Sequence, residues 1–439
     1  MPYQGGGRLP AQKASKIGHL DVIKSPLVKK LCENFENPEY KPEVTGVKWL
    51  ELPDGGKIRD IIFAVDGSLQ VLEGKKPPYK SLAFVKTALI KVDQVAVSRL
   101  DKNAPNPFAL RDLMKKSAQY HATVFPLRHV NVPNKSVYDT VREVLYESLK
   151  DESLNGEIMD TLKWLVFEKW DPLNQKSYTE EFGCPHCNKE VAKLPLDKDV
   201  GVCSNCRKKI FISDLFGLHF NMNEDFAPSQ IASDYMSIHE TLMMLTPVRY
   251  YWENRREVLN RCLIVKDGPL SLRATLSKLS APIRRFMKYA KEQGVEIALI
   301  GQEKSGAFFD HLQLIGGEAP LHSIFLPDNK YIRNQIQQSN AIGIYGEHTN
   351  YGAKVFVKLD KYNSLVLNIP TGEKGECVEN PDPEKLIALR DIVATLPSII
   401  SNLHEGALLP IVLAHGVSSL STYPSAKTLE MFSEASIVK

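Results

Sequence analysis

Short apolar runs separated by polar turns mark the early part of the chain. The runs at 57–65, 81–92 and 94–100 are rich in β-branched residues, and three in succession predict a strand meander. After residue 228, apolar runs alternate with segments of helical periodicity. These later runs lie at 261–265, 295–300, 354–359 and 364–369. Consecutive strands followed by alternating strands and helices predict an α/β fold, a mixed sheet with helices on its faces.

Apolar residues at helical spacing predict the intervening helices. They lie at about 108–118, 136–150, 156–168, 228–246, 250–260, 280–292, 383–397 and 407–421. Changes in composition divide the chain into five parts. These are an N-terminal arm (1–45), the first part of the core (46–181), a cysteine-rich insertion (182–211), the second part of the core (212–425) and a polar tail (426–439).

The charge balance narrows the classes of function. The chain has 439 residues, with 55 Lys and Arg against 52 Asp and Glu, and a net charge of +3. This near-balance excludes a protein that coats nucleic acid by charge alone, but it is compatible with an enzyme that has a local basic patch. No apolar run approaches the ~20 residues of a membrane helix, and the first residues lack the apolar segment of a secretory signal. We therefore expect a cytoplasmic protein.

Four of the seven cysteines form two CxxC pairs. Cys184 and Cys187 belong to CPHC, and Cys203 and Cys206 belong to CSNC, with fifteen residues between the pairs. Thiolates three positions apart on a tight turn face one ion, and two such turns complete a tetrahedron. The spacing predicts a four-cysteine zinc ribbon. Because four thiolates leave no coordination position for water, we expect its Zn²⁺ to be structural.

Two aspartates follow apolar runs in matching contexts. Asp66 comes after FAV and Asp267 after LIVK, and glycine follows each of them. Either aspartate alone is typical of a turn at the end of a strand. Two carboxylates on neighbouring strands predict a shared site for Mg²⁺ or Mn²⁺, because ligand sites gather at strand ends and hard cations prefer oxygen ligands. Such ions activate water and stabilise an in-line displacement at phosphorus.

The VDGS sequence at 65–68 and the DGPL sequence at 267–270 resemble the signature of the NurA nuclease family. The resemblance covers roughly 57–421 and implies a ribonuclease-H-like fold that cuts DNA with Mn²⁺ or Mg²⁺. It also implies a homodimer that works with a HerA-like hexameric ATPase in DNA end processing, in repair or in phage defence. The cysteine-rich segment lies outside the minimal family core, and we interpret it as an insertion.

The resemblance extends to two further residues of the central region. The family carries a glutamate on the helix before DGPL, and Glu240 in HETLMML fits that place. Glu253 and Glu257 compete with it, because the sequence does not fix the register of the helix. The family also has a lysine after the next strand, which Lys304 matches.

A last match lies near the C-terminus. His415, at the end of LLPIVLAH, takes the place of a family histidine. The tyrosine expected eight residues earlier falls at Ala407, and the family proline is shifted to Pro410. Tyr351 is a candidate replacement for that tyrosine.

The resulting hypothesis is a two-metal nuclease. Asp66, Glu240 and Asp267 hold two divalent ions, which lower the pKa of a bound water and neutralise charge on the scissile phosphate. His415 contacts a metal, a water or the leaving oxygen and passes a proton near neutral pH. One alternative is a non-catalytic adaptor that binds DNA or a partner through the zinc ribbon and a basic helix, and carboxylates that lie far apart would favour it. Another is a nuclease of the Argonaute type, for which the chain shows no further motif.

Basic and aromatic residues supply candidate DNA contacts. Arg284, Arg285, Lys288 and Lys291 recur along the predicted helix at 280–292, and with Lys304 they predict either a grip on the DNA backbone or an ordinary solvated face. The YYW run at 250–252 offers rings for stacking single-stranded bases, and equally fits core packing.

Overall fold

The computed structural model describes residues 22–35, 44–93, 117–376, 378–401, 406–420 and 425–436. The chain divides into two compact units, residues 1–45 and residues 46–439. The described part of the first unit contains helix α1 (Pro26–Glu33), which begins where Ser25 accepts a hydrogen bond from the Val28 amide at 3.4 Å. Everything that follows concerns the second unit.

Strands and helices alternate through most of the second unit. In chain order, the strands are β1 (Leu50–Glu51), β2 (Ile61–Glu73), β3 (Ser81–Asp93), β4 (Ala118–Arg128), β5 (Phe182–Gly183), β6 (Glu190–Ala192), β7 (Val200–Val202), β8 (Lys209–Phe211), β9 (Cys262–Asp267), β10 (Ala298–Glu303), β11 (Ser323–Phe325), β12 (Ala353–Lys358), β13 (Ser364–Ile369), β14 (Ile400–Ser401) and β15 (Ala407–Leu408). The helices are α2 (Val137–Leu149), α3 (Glu157–Val166), α4 (Gln230–Asn254), α5 (Arg256–Leu259), α6 (Ser280–Glu292), α7 (Ala307–Ile315), α8 (Asn329–Tyr331), α9 (Leu389–Ile399), α10 (Leu409–Ser418) and α11 (Ser425–Ser436).

Nine of the described strands form one sheet in the order β1-β11-β12-β13-β10-β9-β2-β3-β4. β2, β3 and β4 form an antiparallel meander, and β9 and β10 continue the sheet parallel to β2. The sheet is therefore mixed and flanked by helices. This arrangement confirms the predicted α/β class and agrees with a ribonuclease-H-like sheet.

Two details of the meander differ from the sequence prediction. β2 does not end in a turn at Asp66, because its pairing with β3 continues without a break from Ile61 to Glu73. The prediction of a helix reaching residue 118 is also wrong, since Ala118 begins β4, the third strand of the meander. The strand predicted at 94–100 and residues 108–116 of that predicted helix lie outside the described residues.

Helices α4 and α10 cover opposite faces of the meander. On β3, the Thr87 hydroxyl lies 2.7 Å from His239 Nδ1 of α4, whereas Lys86 Nζ donates to the Val417 carbonyl of α10. Successive side chains of a strand point to opposite faces, so the two helices lie on opposite sides of the sheet. The two helices predicted at 228–246 and 250–260 are one long helix, α4, followed by the single turn of α5.

The core continues outside the sheet on the face covered by α4. Trp164 of α3 and Trp252 of α4 pack edge-on against Phe286 of α6, with ring centroids 4.6 and 5.3 Å apart. The segment predicted as a polar tail contains helix α11, and its Glu430 pairs with Lys75 at 2.6 Å. No described helix is both long and apolar enough to cross a membrane.

Candidate metal centres

Two aspartates lie side by side on the central strands β2 and β9 of the sheet. The last paired residues of β2 and β9 are Val65 and Lys266, and Asp66 and Asp267 follow them directly. Neighbouring strands lie about 4.8 Å apart, so the two aspartates are adjacent. β10 extends the row, because Asp267 pairs with Gln302.

Asp66 is buried and held from α10. Its Oδ2 lies 2.8 Å from His415 Nδ1 and accepts a hydrogen bond from Ser418 Oγ at 2.9 Å, while its Oδ1 accepts from the Gly67 amide at 2.8 Å. Burial and the negative charge of Asp267 raise the pKa of Asp66, and the contacts from α10 oppose this rise. The His415 side chain is 55 % exposed, so the site is open to solvent beside α10.

Asp267 is held from the opposite direction. Lys304, directly after β10, places its Nζ 2.9 Å from Asp267 Oδ2. Both side chains are partly exposed, so this ion pair sits at the mouth of the site. An ion that binds Asp267 must therefore compete with the Lys304 ammonium group.

Glu240 approaches the two aspartates from the α4 face. Its Oε2 pairs with the buried Lys266 Nζ at 2.8 Å. Burial raises the pKa of Glu240, Lys266 opposes the rise, and the charges of Asp66 and Asp267 add to it. The three carboxylates are thus close enough to influence one another, although they come from three different elements.

Gly67 makes this approach possible. A Cβ at position 67 would lie 2.3 Å from Glu240 Oε1 and 2.8 Å from Met236 Cγ. Since Gly67 follows Asp66 on β2, it faces α4, and its missing side chain leaves the space that the Glu240 carboxylate occupies. The glycine in VDGS therefore permits close approach within a strand and does not form a turn.

The structure separates Glu240 from its two competitors. Glu253, thirteen positions further along α4, is exposed and pairs with Arg249 at 3.0 Å. Glu257 is exposed on α5. Of these three glutamates, the structure places Glu240 beside the aspartates.

The donor set suits a hard divalent cation. Three carboxylates face two lysine ammonium groups, those of Lys266 and Lys304, and the remaining repulsion adds to burial in raising the pKa values of Asp66 and Glu240. Oxygen ligands with excess negative charge are the environment that Mg²⁺ and Mn²⁺ prefer. Among the described residues only the four cysteines form a group of three or more ligands whose donor atoms all lie within 4.8 Å of one another. The oxygens of Asp66, Glu240 and Asp267 are therefore not all within 4.8 Å of one another, and these side chains must move closer to share one ion.

Sequence reasoning missed two of the residues that hold these carboxylates, Lys266 and Ser418. Lys266 directly precedes Asp267, and Ser418 follows His415 by three positions on α10, so both spacings were available as signals. Tyr351, the candidate replacement for the family tyrosine, is fully buried and its Oη lies 3.2 Å from Thr241 Oγ1. Burial raises the pKa of Tyr351, and the neighbouring Lys266 charge opposes this.

The position of the expected tyrosine lies elsewhere. Ala407 is buried in the short strand β15, and the next residue, Leu408, donates its amide to Gln302 Oε1 at 3.3 Å. Pro410 lies in the first turn of α10, where its fixed φ suits the start of a helix. The shifted proline therefore starts the helix that carries His415.

The four cysteines form a second, separate centre. Their Sγ atoms come together from two hairpins, β5–β6 and β7–β8, with 3.7 Å between Cys184 and Cys206 and 3.9 Å between Cys187 and Cys203. A backbone hydrogen bond from the Lys189 amide lowers the pKa of Cys187 to about 7. The four thiols fit a zinc ribbon, as the spacing predicts.

Helix α2 fixes the ribbon to the core. The Arg142 guanidinium pairs with the buried Asp214 at 2.9 Å, just beyond β8. Tyr138 Oη donates to the Pro185 carbonyl, between the first two cysteines, at 2.7 Å. The ribbon is therefore packed onto a helix and not attached by a linker alone.

The predicted basic face of α6 is only partly exposed. Arg284 is buried and donates to the Asn350 carbonyl at 2.6 Å, so it is not part of an exposed stripe. Arg285 is exposed but pairs with Glu168 at 2.6 Å. Lys288 and Lys291 are both exposed and stay candidates for contacts with the DNA backbone.

The YYW run divides between core and surface. Trp252 is buried and packs against Phe286, which favours the core alternative for this residue. Tyr250 is 53 % exposed near the end of α4, on the face opposite α10. The run is thus not a continuous stacking surface.

Three solved structures are similar to the chain over nearly its whole length. A crystal structure of NurA has 11 % identity and a TM-score of 0.26, and covers 98 % of both chains. NurA bound to dAMP and manganese has 13 % identity and a TM-score of 0.26, again over 98 % of both chains, and NurA with manganese has 12 % identity and a TM-score of 0.27 over 97 % of this chain and 98 % of that one. Scores this low do not establish shared chemistry. No protein-family model and no curated protein matches the chain.

Proposed function

We propose that the chain is a metal-dependent nuclease that hydrolyses phosphodiester bonds in DNA. The observation that carries the proposal is the grouping of Asp66, Asp267 and Glu240 around the central strands β2 and β9. These side chains come from positions 66, 240 and 267. The charge of Asp267 raises the pKa of Asp66, and the charges of both aspartates raise the pKa of Glu240. Sequence-distant carboxylates that repel one another in a partly open site favour a cation-dependent reaction over a purely structural role.

The three carboxylates are the groups that would hold Mn²⁺ or Mg²⁺. When bound, such ions supply a more acidic water and neutralise charge on a phosphate. We assign the ligand role to Asp66, Glu240 and Asp267, in a two-ion arrangement. Lys266 and Lys304 pair with Glu240 and Asp267 and orient these two side chains.

His415 is the proposed proton carrier. Its Nδ1 contacts Asp66, so Nε2 is the ring nitrogen that remains for a proton of the substrate or of water. The exposed imidazole can exchange that proton with solvent. Ser418 shares the same Asp66 oxygen and helps to fix the carboxylate.

We further propose that the cysteine quartet binds one structural Zn²⁺. Four thiolates satisfy the tetrahedral preference of zinc and leave no position for water. The HerA-like ATPase, the homodimer, the cytoplasmic location and the choice between repair and phage defence stay predictions of the sequence. The adaptor alternative is an outcome of the experiment below.

The proposal is tested by incubating the purified chain with labelled linear single-stranded and double-stranded DNA. Reactions contain Mn²⁺, Mg²⁺ or EDTA, with and without a HerA-type ATPase. We expect cutting with Mn²⁺ or Mg²⁺ and none with EDTA. DNA or ATPase binding without cutting in every reaction would contradict the nuclease and favour the adaptor.

A further inference from the structure

An exposed tyrosine lies in the same cross-strand row as the candidate site. Asp66 of β2 pairs with Ala88 of β3, and Ala88 pairs with Tyr120 of β4. Paired residues point to the same face of a sheet, so Tyr120 lies on the α10 face with Asp66. Two strand spacings of about 4.8 Å separate their backbones by about 10 Å.

The ring of Tyr120 is accessible. The side chain is 57 % exposed on β4, the edge strand of the described sheet. Its neighbours on the same face are Ala118 and Ala122, whose methyl side chains leave the ring uncrowded. A tyrosine that only filled a core would be covered, whereas more than half of this side chain is exposed.

A cation lies over one face of the ring. Lys86 Nζ is 4.8 Å from the centre of the Tyr120 ring and donates to the Val417 carbonyl near the end of α10. This contact fixes the ammonium group between the helix and the tyrosine. An aromatic ring next to a fixed positive charge is the combination that binds a base and its phosphate in single-stranded nucleic acid.

We propose that Tyr120 is a base-stacking platform that positions single-stranded nucleic acid across strands β2, β3 and β4, with Lys86 facing the nucleic-acid backbone. The proposal rests on the proposed function and adds a substrate-positioning residue to it. Because the backbones of Tyr120 and Asp66 lie about 10 Å apart, a base on Tyr120 and a phosphate at Asp66 and Asp267 belong to the same short segment of a bound nucleic-acid strand. The bound nucleic acid would run along the cross-strand row Asp267, Asp66, Ala88 and Tyr120.

The chain offers a matched control. Tyr250 has nearly the same exposure, 53 %, but it lies on α4 at the other face of the sheet. It also belongs to the aromatic run in which the sequence predicts stacking as one alternative. Comparing the two tyrosines therefore tests position and not merely the loss of an exposed ring.

The experiment measures fluorescence anisotropy of a labelled 20-nucleotide single strand with the full-length chain and no added divalent ion. Stacking on one residue typically changes affinity by about 5- to 150-fold. We expect Tyr120→Ala to weaken binding within that range, Tyr120→Phe to stay within about 2-fold of the wild type because the ring is kept, and Tyr250→Ala to have no effect.

The outcomes separate this proposal from the nuclease assignment. A wild type that cuts DNA while Tyr120→Ala binds the strand normally would overturn the platform and leave the nuclease intact. A loss of binding in Tyr250→Ala but not in Tyr120→Ala would move the platform to α4 and overturn it here. A wild type that does not bind the strand would overturn the platform whether or not it cuts duplex DNA. Binding that depends on Tyr120 without any cutting would support the platform and contradict the nuclease.

Discussion

The two candidate metal centres of this molecule are built in opposite ways. The cysteine quartet takes all its ligands from residues 184–206, on two short hairpins. The carboxylate site, formed by Asp66, Glu240 and Asp267 with His415, takes its groups from β2, α4, β9 and α10. The first site is local in sequence, and the second exists only after the sheet has assembled.

The difference also concerns how charge is compensated. The described contacts of the cysteine ligands are mainly with one another and with nearby backbone amides, so a metal ion is the natural counter-charge for the thiolates. The carboxylates already have lysine, histidine and serine partners. We infer that metal at the ribbon stabilises the fold, whereas metal at the carboxylate site is exchangeable and serves a reaction.

Removal of the ribbon metal is expected to have the largest effect. Cys203→Ser removes one buried thiolate, and structural zinc sites contribute on the order of 10 kcal/mol to folding in isolated zinc-binding peptides. We expect about one zinc per wild-type chain by mass spectrometry, loss of that zinc in the variant, and a fall of several kcal/mol in the free energy of unfolding. A variant that loses zinc and keeps its thermal stability would show that the ribbon metal does not support the fold.

Neutralising Glu240 is expected to change the reaction and not the fold. Glu240→Gln removes one proposed ligand charge and should lower the cleavage rate by about 10²–10³-fold, as for other electrostatic groups in active sites. Glu253→Gln, on the same helix but exposed, is the matched control and should cleave normally. Equal rates for both variants would contradict the assignment of Glu240.

A buried carboxylate outside both centres supplies a pH test. Glu376 is 1 % exposed, and its Oε2 accepts hydrogen bonds from the Thr371 amide and hydroxyl at 2.8 and 2.7 Å. Burial raises its pKa from 4.5 to about 7, although Thr371 and Arg284 oppose the rise. The folded state therefore binds more protons than the unfolded state between these values, and stability should fall as pH rises from 4.5 to 7.

The expected fall is about 3 kcal/mol, and Glu376→Gln should remove it. Chemical denaturation at several pH values measures it. If the pH dependence is the same in the variant, Glu376 is not its source. Because Glu376 belongs to neither centre, we expect zinc content and cleavage at neutral pH to be unchanged.

Filling the gap at Gly67 is expected to have the smallest effect. In Gly67→Ala the new Cβ would lie 2.3 Å from Glu240 Oε1, so the carboxylate must shift. Misplacement of a site group by about 1 Å can lower rates by about 10²-fold, and we expect a loss of about 10- to 100-fold with zinc retained. Gly317→Ala, where a Cβ meets nothing within 4 Å, is the control. Unchanged cleavage in Gly67→Ala would show that the gap is not needed.

The same contrast explains how much could be predicted from sequence. The spacing of the two CxxC pairs is enough to predict a four-cysteine site, and the alternation of strands and helices indicates the mixed sheet. The Asp-Gly steps marked both aspartates, but the step at Asp66 looked like a turn. Pairing with β3 holds that segment extended instead, and tertiary pairing of this kind has no local signal.

Other features depend on packing that no short pattern contains. Arg284 follows the spacing of a basic stripe, yet it turns inward to the Asn350 carbonyl. Lys266 lies in an apolar run and is buried because Glu240 arrives from another element. Only the strand register places Tyr120 in the same cross-strand row as Asp66, and no local sequence pattern indicates this.

The most direct test of the proposed role of the carboxylate site is a cleavage time course of Asp267→Asn beside the wild type, with Mn²⁺ and labelled linear DNA. Asp225→Asn, an exposed loop aspartate, is the control, and zinc content and thermal stability are measured for all three proteins. The account predicts that the wild type and Asp225→Asn cut, and that Asp267→Asn keeps its zinc and its fold but does not cut. Cutting by Asp267→Asn at the wild-type rate would contradict the assignment of the site.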